Sequence, residues 1–471
     1  MCSWPEFALA RDKLARMLVR CAWRLAIIAT LTGAATYAQG PYVIGENVQI
    51  TIERPGVQYY ETQIAADPRD ARHLIACAYA VRPDRSVDNV FYISFDGGLT
   101  WQESLTVPIS VDPSCAISPR GTAFASSIHD LPRPDGNTDS TLVVHRSEDG
   151  GRTYAPAAVT TDTRRVDRAY LTIDDRRNHV YVHAYLQNPR DLGGAAFTLY
   201  TSTNGGRSFD QVISQGADGP GTPKFVPANG VVMPDGTFVA LTALLDATKL
   251  NMFRGRSDEK SAPDLDGVLG VFRSVDGGIS LEPLRTIADV HYDWRVPQLS
   301  MSSLAVDATG GPFRGRLYAV WPDARLDRRT QIFLSSSADG GRTWTTPRIV
   351  SDDATMLKSG DRPNHFMPMV VVNKNGVVGV SWYDRRDNPD NLGYWPRFAA
   401  SLDGGATWLP SVRLSTSPNA TDPAETRLNS GDTAGLAAGA DGVFHAAWVD
   451  NRTGTHHMWT TAIRVQGTAR H

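Results

Sequence analysis

The sequence predicts an all-β chain: a single β-propeller of four-stranded antiparallel blades. Three observations lead there. An eight-residue turn pattern recurs six times at near-even spacing. Short runs rich in β-branched and aromatic residues precede each copy. No segment with helical periodicity follows residue 38.

The turn pattern is Ser-x-Asp-x-Gly-x-Thr-Trp with decay. It runs Ser94–Trp101, Ser147–Tyr154, Ser202–Phe209, Ser274–Leu281, Ser337–Trp344 and Ser401–Trp408. The intervals between first residues are 53, 55, 72, 63 and 64, a mean of about 61. Its third position is Asp96, Asp149, Asn204, Asp276, Asp339 and Asp403. Asp and Ser side chains accept hydrogen bonds from nearby backbone N–H groups, and the paired glycines supply positive φ, so the octet is a structural turn.

Each octet follows strand-like runs, as in Leu299–Val306, Leu317–Trp321 and Ile332–Ser337, or Pro368–Asn373, Val377–Trp382 and Phe398–Ser401. Three strands, an octet and one more strand make one blade of about 61 residues. After the sixth octet come Thr433–Ala438, Val443–Trp448 and His456–Arg464, without an octet. Near the N-terminus, Glu46–Ile52 is a strand without its own blade. Pairing it onto that last set closes a ring of seven blades and removes the open edge. Six blades with an extra hairpin is the alternative.

Ahead of the repeats, Arg11, Lys13, Arg16, Arg20 and Arg24 precede an apolar run from Leu25 to about Ala35, followed by Thr36 and Ala38. This is the order of a secretory signal peptide. The run falls short of the ~20 residues that span a bilayer. The expected organisation is therefore residues 1–38 as signal and 39–471 as propeller, secreted or periplasmic, with no membrane span after cleavage. With 47 basic and 50 acidic residues the net charge is −3, which gives no nucleic-acid footprint. Of four cysteines, Cys77 and Cys115 follow the cleavage site. They either pair as a disulfide, as export permits, or stand as separate buried thiols.

The octet resembles the Asp-box, or bacterial neuraminidase repeat, of the sialidase superfamily, and the likeness extends over the chain after residue 38. It implies the propeller fold strongly and the function weakly, since such propellers include glycoside hydrolases and non-catalytic domains. Sialidases hold the sugar carboxylate with three arginines and use a Tyr–Glu nucleophile pair and an Asp acid/base. Their first arginine lies in a Phe/Tyr-Arg-Ile-Pro motif on the first inner strand. Here that place reads Tyr60-Glu61-Thr62-Gln63-Ile64, with Glu61 in place of arginine.

Blade geometry puts the Asp-box turns at one end and the inner-strand starts, with the second-to-third-strand loops, at the other. The long stretches Asp246–Asp266 and Asp384–Trp395 are such loops. Residues that break the repeat at inner-strand starts are the candidates for chemistry. The carboxylates are Glu61, Asp167 and Asp432; the basic residues expected to bind substrate are Arg168, Arg295, Arg362 and Arg385. A second repeat shares that end: Trp321-Pro-Asp323-Ala-Arg325, Trp382-Tyr-Asp384-Arg385-Arg386 and Trp448-Val-Asp450-Asn-Arg452. It reads either as an arginine-lined mouth for an anionic group or as a structural closure of strand ends.

No metal site or cofactor is expected. The Asp135–Asp139 oxygen alternation lacks an EF-hand's closing Glu, with Arg146 at that position. Two functional readings stay open. One is an exported, sialidase-like glycoside hydrolase of exo-sialidase type, a monomer acting on glycans at the ring mouth. The other is a non-catalytic binding or scaffold propeller for protein or envelope partners.

Overall fold

The computed structural model describes residues 37–132, 138–156, 158–162, 164–187, 194–216, 222–249, 265–292, 302–327, 329–353, 360, 362–388, 390–420 and 431–470. The chain is all-β, with almost no helix, and its strands form successive four-stranded antiparallel sets. The first set is Gln58–Ala66, Leu74–Val81, Val87–Ser94 and Gln102–Pro108. The second is Val111–Ile117, Ala123–Pro132, Thr138–Ser147 and Ala158–Asp162. The third is Arg165–Asp174, His179–Gln187, Ala195–Ser202 and Gln211–Gln215, and the fourth Lys224–Val232, Phe238–Leu245, Leu265–Ser274 and Arg285–Tyr292. The fifth is Ser303–Val306, Leu317–Asp323, Gln331–Ser337 and Arg348–Ile349. The sixth is His365–Val372, Val378–Asp384, Trp395–Ser401 and Val412–Arg413. The last is Gly435–Ala438, Phe444–Asp450 and His457–Val465.

Two N-terminal strands, Tyr42–Ile44 and Val48–Gln49, both pair with His457–Val465. The expected continuous strand Glu46–Ile52 is therefore two short pieces. The Gly45 N–H bonds to the Ala462 carbonyl between them. The expected signal junction after Ala38 falls inside the strand Tyr37–Gln39, while residues 1–36 lie outside the described residues. Among the described residues, no helix is long and apolar enough to cross a membrane.

The first strands of successive sets touch in chain order, and Gly435–Ala438 touches Gln58–Ala66. Apolar clusters fill the spaces between neighbouring sets. Ile75, Phe91 and Ile93 pack against Ile117 and Ala123, and Tyr59, Ala76 and Val90 pack against Ala437, Ala447 and Met458. The second and third strands of the sets bury both faces, as in Leu74–Val81, Ala195–Ser202 and Leu317–Asp323, which is why they read as nearly continuous apolar runs, whereas fourth strands such as Gln211–Gln215 and Arg348–Ile349 stay partly exposed.

The six octets link third to fourth strands. In the first, Ser94 Oγ donates to Asp96 Oδ1 at 2.8 Å and accepts the Gly98 N–H at 2.9 Å. Asp96 also accepts the Thr100 N–H at 2.9 Å and the Thr100 hydroxyl at 2.5 Å. The serine-to-glycine bond recurs in all the others. Both glycines have positive φ throughout, the conformation an L side chain resists.

Five inner strands carry one extra residue at the same place. Pairing shifts between Tyr60 and Gln63, Val111 and Ser114, Asp167 and Tyr170, Pro227 and Gly230, and Phe366 and Met369. The first inserted residue is Glu61, Asp112, Arg168, Ala228 or Met367. Four of these have positive φ: 55°, 53°, 59° and 53° for Glu61, Asp112, Arg168 and Met367. Such bulges re-aim side chains and store about 1–3 kcal/mol of strain each.

Candidate active site

The bulges bring candidate residues from separate sets together. A small pocket is lined by Glu61, Gln63, Asp112, Arg168, Tyr170 and Asp432, among others. It shares Gln63, Tyr170 and Thr433 with a cavity of about 320 Å³ between the inner strands. Because the octets end third strands that run alongside the inner strands, this pocket lies at the end opposite the Asp-box turns.

Among the described residues, Arg168 is the only cation lining the pocket. Its guanidinium bonds to Asp432 Oδ2 at 2.5 Å, with 4% and 13% of the two side chains exposed. Its backbone N–H donates to Asp112 Oδ2 at 2.6 Å. Asp167 adjoins the pocket, accepts a short hydrogen bond from the Tyr185 hydroxyl and lies 3.7 Å from Arg165. Serine links the inner strands beneath: Ser114 Oγ donates to Gln63 Oε1 at 3.0 Å and accepts the Leu171 N–H at 3.2 Å. Gly431, at φ +72°, lies so close to Glu61 that a Cβ there would meet Glu61 Cγ at 2.2 Å.

The carboxyl groups are not equivalent. Burial, then the negative charges of Asp432 and Asp112, hold the Glu61 carboxyl well above the usual range. Asp112 is raised likewise by burial and by Asp167 and Asp432. Asp167 goes the other way. Burial opposes its charge, but Arg168, Arg165, the Tyr185 hydrogen bond and Lys224 together bring it below the ordinary aspartate value. Tyr79 and Tyr170 are pushed up by burial and by these carboxylates. The surroundings thus favour the protonated form of Glu61 and Asp112 and the ionised form of Asp167.

Of the residues singled out from sequence, Glu61, Asp167, Arg168 and Asp432 converge here. Arg362 does not; it pairs with Asp327 at 3.0 Å. Nor does Arg385 line this pocket. It is buried, with its Nε donating to the Gly393 carbonyl at 3.0 Å and its guanidinium over the Phe366 ring. Arg295 and the Asp135–Asn137 stretch lie outside the described residues.

The Trp-x-Asp-x-Arg repeat is a strand-end closure. Indole N–H groups of Trp321, Trp382 and Trp448 donate to Asp323, Asp384 and Asp450 at 3.0, 2.7 and 2.8 Å. Arg325, Arg386 and Arg452 pair with the same aspartates. Of the two readings for the cysteines, the structure has Cys77 and Cys115 as buried free thiols. Both belong to the apolar cluster between the first two sets, where Cys115 Sγ turns to the Ile75 carbonyl at 3.8 Å. Burial and the neighbouring Cys115 raise the Cys77 thiol pKa.

Sequence reasoning missed Asp112, Tyr185 and Lys224. Asp112 had a signal: Val111-Asp112-Pro113 opens the second inner strand as Tyr60-Glu61-Thr62 opens the first. Tyr185 and Lys224 had none, since their roles depend on a contact between sets. Among the described residues, no group of His, Cys, Asp and Glu has the arrangement of a metal site.

Residues 92–103, which span the first octet, match the BNR/Asp-box repeat family. No curated protein matches the chain in sequence. Solved structures similar to it include a protein of unknown function from Dyadobacter fermentans, 15% identical, covering 91% of this chain and 100% of that one (TM-score 0.49). A Hadza microbial sialidase is 14% identical over 91% and 94% of the two chains (TM-score 0.46). A mutant α-L-arabinofuranosidase from Fusarium graminearum is 13% identical over 76% and 98% (TM-score 0.48).

Proposed function

We propose that the chain is an exported, monomeric, seven-bladed propeller that hydrolyses glycosidic bonds at the pocket around Arg168. The carrying observation is the convergence of carboxyl groups from separate sets around Arg168, in surroundings that push the Glu61 pKa up and the Asp167 pKa down. Glycoside hydrolysis needs such a pair, an acid for the departing oxygen and a carboxylate to attack or to activate water. Seven blades are supported by the chain-order contacts of the inner strands and the return of the last onto the first. Ring closure by the N-terminus is supported by its pairing with His457–Val465. Export is supported by the signal-like order of residues 11–38.

In this mechanism Glu61 donates its proton to the glycosidic oxygen and later recovers one from water. Asp167 stabilises the oxocarbenium-like transition state or delivers the nucleophile. Arg168, fixed by Asp432, orients the sugar hydroxyls. The pairing of Arg168 with Asp432 crosses the ring from one set to another, which favours a catalytic mouth over a binding face whose charges close within their own set.

The test is turnover of a panel of fluorogenic glycosides, sialosides included, by the full chain and by Glu61→Gln and Asp167→Asn. Turnover with one substrate, falling at least about 100-fold in both variants, is expected. Since Glu61 must be protonated, activity should fall as pH rises through its elevated pKa, and Glu61→Gln should abolish that basic limb. Folded protein that turns over no glycoside would refute the proposal and leave a binding propeller.

A further inference from the structure

The third and fourth sets meet in a way that separates this junction from the others. One parallel backbone bridge, Ala195 opposite Lys224, joins them into a continuous sheet. Gly194 permits the approach: a Cβ there would lie 2.5 Å from the Pro223 carbonyl oxygen and 2.1 Å from Thr222 Oγ1. The bridge carries the Lys224 side chain, 4% exposed as a residue, under the end of the third set. Lys224 Nζ donates to the Tyr185 hydroxyl at 3.1 Å and to Gln187 Oε1 at 3.3 Å, and it lies 4.1 Å from the Tyr185 ring centroid. Tyr185, itself buried, donates its hydroxyl hydrogen bond to Asp167.

From this geometry we propose that Lys224 and Tyr185 are positioning residues that fix Asp167 as the ionised carboxylate of the site. The inference rests on the glycosidase reading for its functional consequence, but not for its chemistry. A lysine ammonium offers only donors. Lys224 therefore forces the Tyr185 oxygen to accept from it and to donate its one hydrogen bond to Asp167. Asp167 can meet that donor only as an acceptor, and the carboxylate is the better one. Tyr185 does not touch substrate; its ring is packed and its hydroxyl committed.

The other groups facing Asp167 are Arg165 and Arg168 on its own strand, which also favour its charge. Glu61 and Asp112, on the first two inner strands, are carboxyl groups that feel Asp167 as a repulsive neighbour. The arginines remain when the Lys224–Tyr185 chain is cut. The expected change is therefore a partial upward movement of the Asp167 pKa, about one pH unit.

The experiment is a carboxyl 13C titration of the full chain labelled at aspartate, with the Asp167 signal assigned by its loss in Asp167→Asn. Tyr185→Phe, which keeps the ring, and Lys224→Met are compared with wild type and with Lys224→Arg. The Asp167 midpoint should rise by about one unit in the first two and stay near wild type in Lys224→Arg. With a turned-over glycoside, the acid limb of kcat/KM should move up by the same amount, while kcat and KM on the neutral plateau change little. Midpoints that stay at the wild-type value in both Tyr185→Phe and Lys224→Met would overturn the proposal. A moved midpoint without turnover of any glycoside would leave the positioning chain standing and remove the glycosidase reading alone.

Discussion

Replacing Arg168 by methionine tests the electrostatic account of the pocket. The guanidinium is 4% exposed and its partner Asp432 13%, so solvent screens the pair weakly. Methionine keeps much of the apolar volume. It also tolerates the backbone, since Met367 occupies the matching bulge at φ 53° against 59° for Arg168. What disappears is the charge. Asp432 is left beside Glu61 and Asp112 with no counter-ion from Arg168, and breaking a buried pair in this way costs about 3–5 kcal/mol. For a compact unit of residues 37–471, unfolding entropy of roughly 2.1 cal/mol/K per residue makes one degree of Tm worth about 0.9 kcal/mol. Arg168→Met should therefore lower Tm by about 3–6 °C in differential scanning calorimetry at pH 7. Arg168→Met with Asp432→Asn should recover at least about 1 kcal/mol, because the second change removes the stranded charge. A Tm within about 1 °C of wild type for the single variant would refute the reasoning.

Two further outcomes follow from the same contacts. Asp450 accepts the Trp448 indole N–H and the Arg452 backbone and guanidinium N–H groups from a fully buried position. Asp450→Ala should thus cost about 3–4 kcal/mol in urea unfolding, with the pH profile of the Arg168 pocket unchanged. In the fifth octet, Asp339 accepts from Ser337, Arg342 and Thr343. Burial is the largest single influence and opposes its charge, but these bonds together outweigh it and lower the pKa to about 2. A depressed folded pKa stabilises above the unfolded aspartate value and loses that stabilisation as pH falls towards 2. Asp339→Ala should cost about 1 kcal/mol at pH 7, after allowance for solvent exposure, and almost nothing at pH 2 in thermal unfolding. An equal gap at both pH values would count against this account.

The sequence made several residues of the site legible through symmetry. A repeat specifies most positions several times over, so a residue that departs at an inner-strand start stands out, and Glu61, Asp167, Arg168 and Asp432 were found that way. Asp112 obeyed the same rule and was overlooked. Arg385 departed from the Trp-x-Asp-x-Arg spacing and was read as a ligand-binding group. The fold instead turns it inward onto Phe366 and leaves Arg386 to pair with Asp384. Strand bounds were blurred by the bulges. One extra residue interrupts the two-residue alternation, so the expected start at Pro368 falls three residues inside the observed strand His365–Val372.

By itself the sequence determined the all-β class, the turn chemistry and the end of the sheets where departures from the repeat collect. Those follow from local rules: glycine at positive φ, short side chains capping their own backbone, and apolar runs of strand length. Only the tertiary structure decided which charges meet. Arg168 and Asp432 are 264 residues apart in the chain yet 2.5 Å apart in space. The parallel bridge at Ala195 brings Lys224 under Tyr185, and the bulges swing Glu61 and Asp112 towards each other's fields. The protonation of a carboxyl group is set by the few ångströms around it, and here those ångströms are filled from distant parts of the chain.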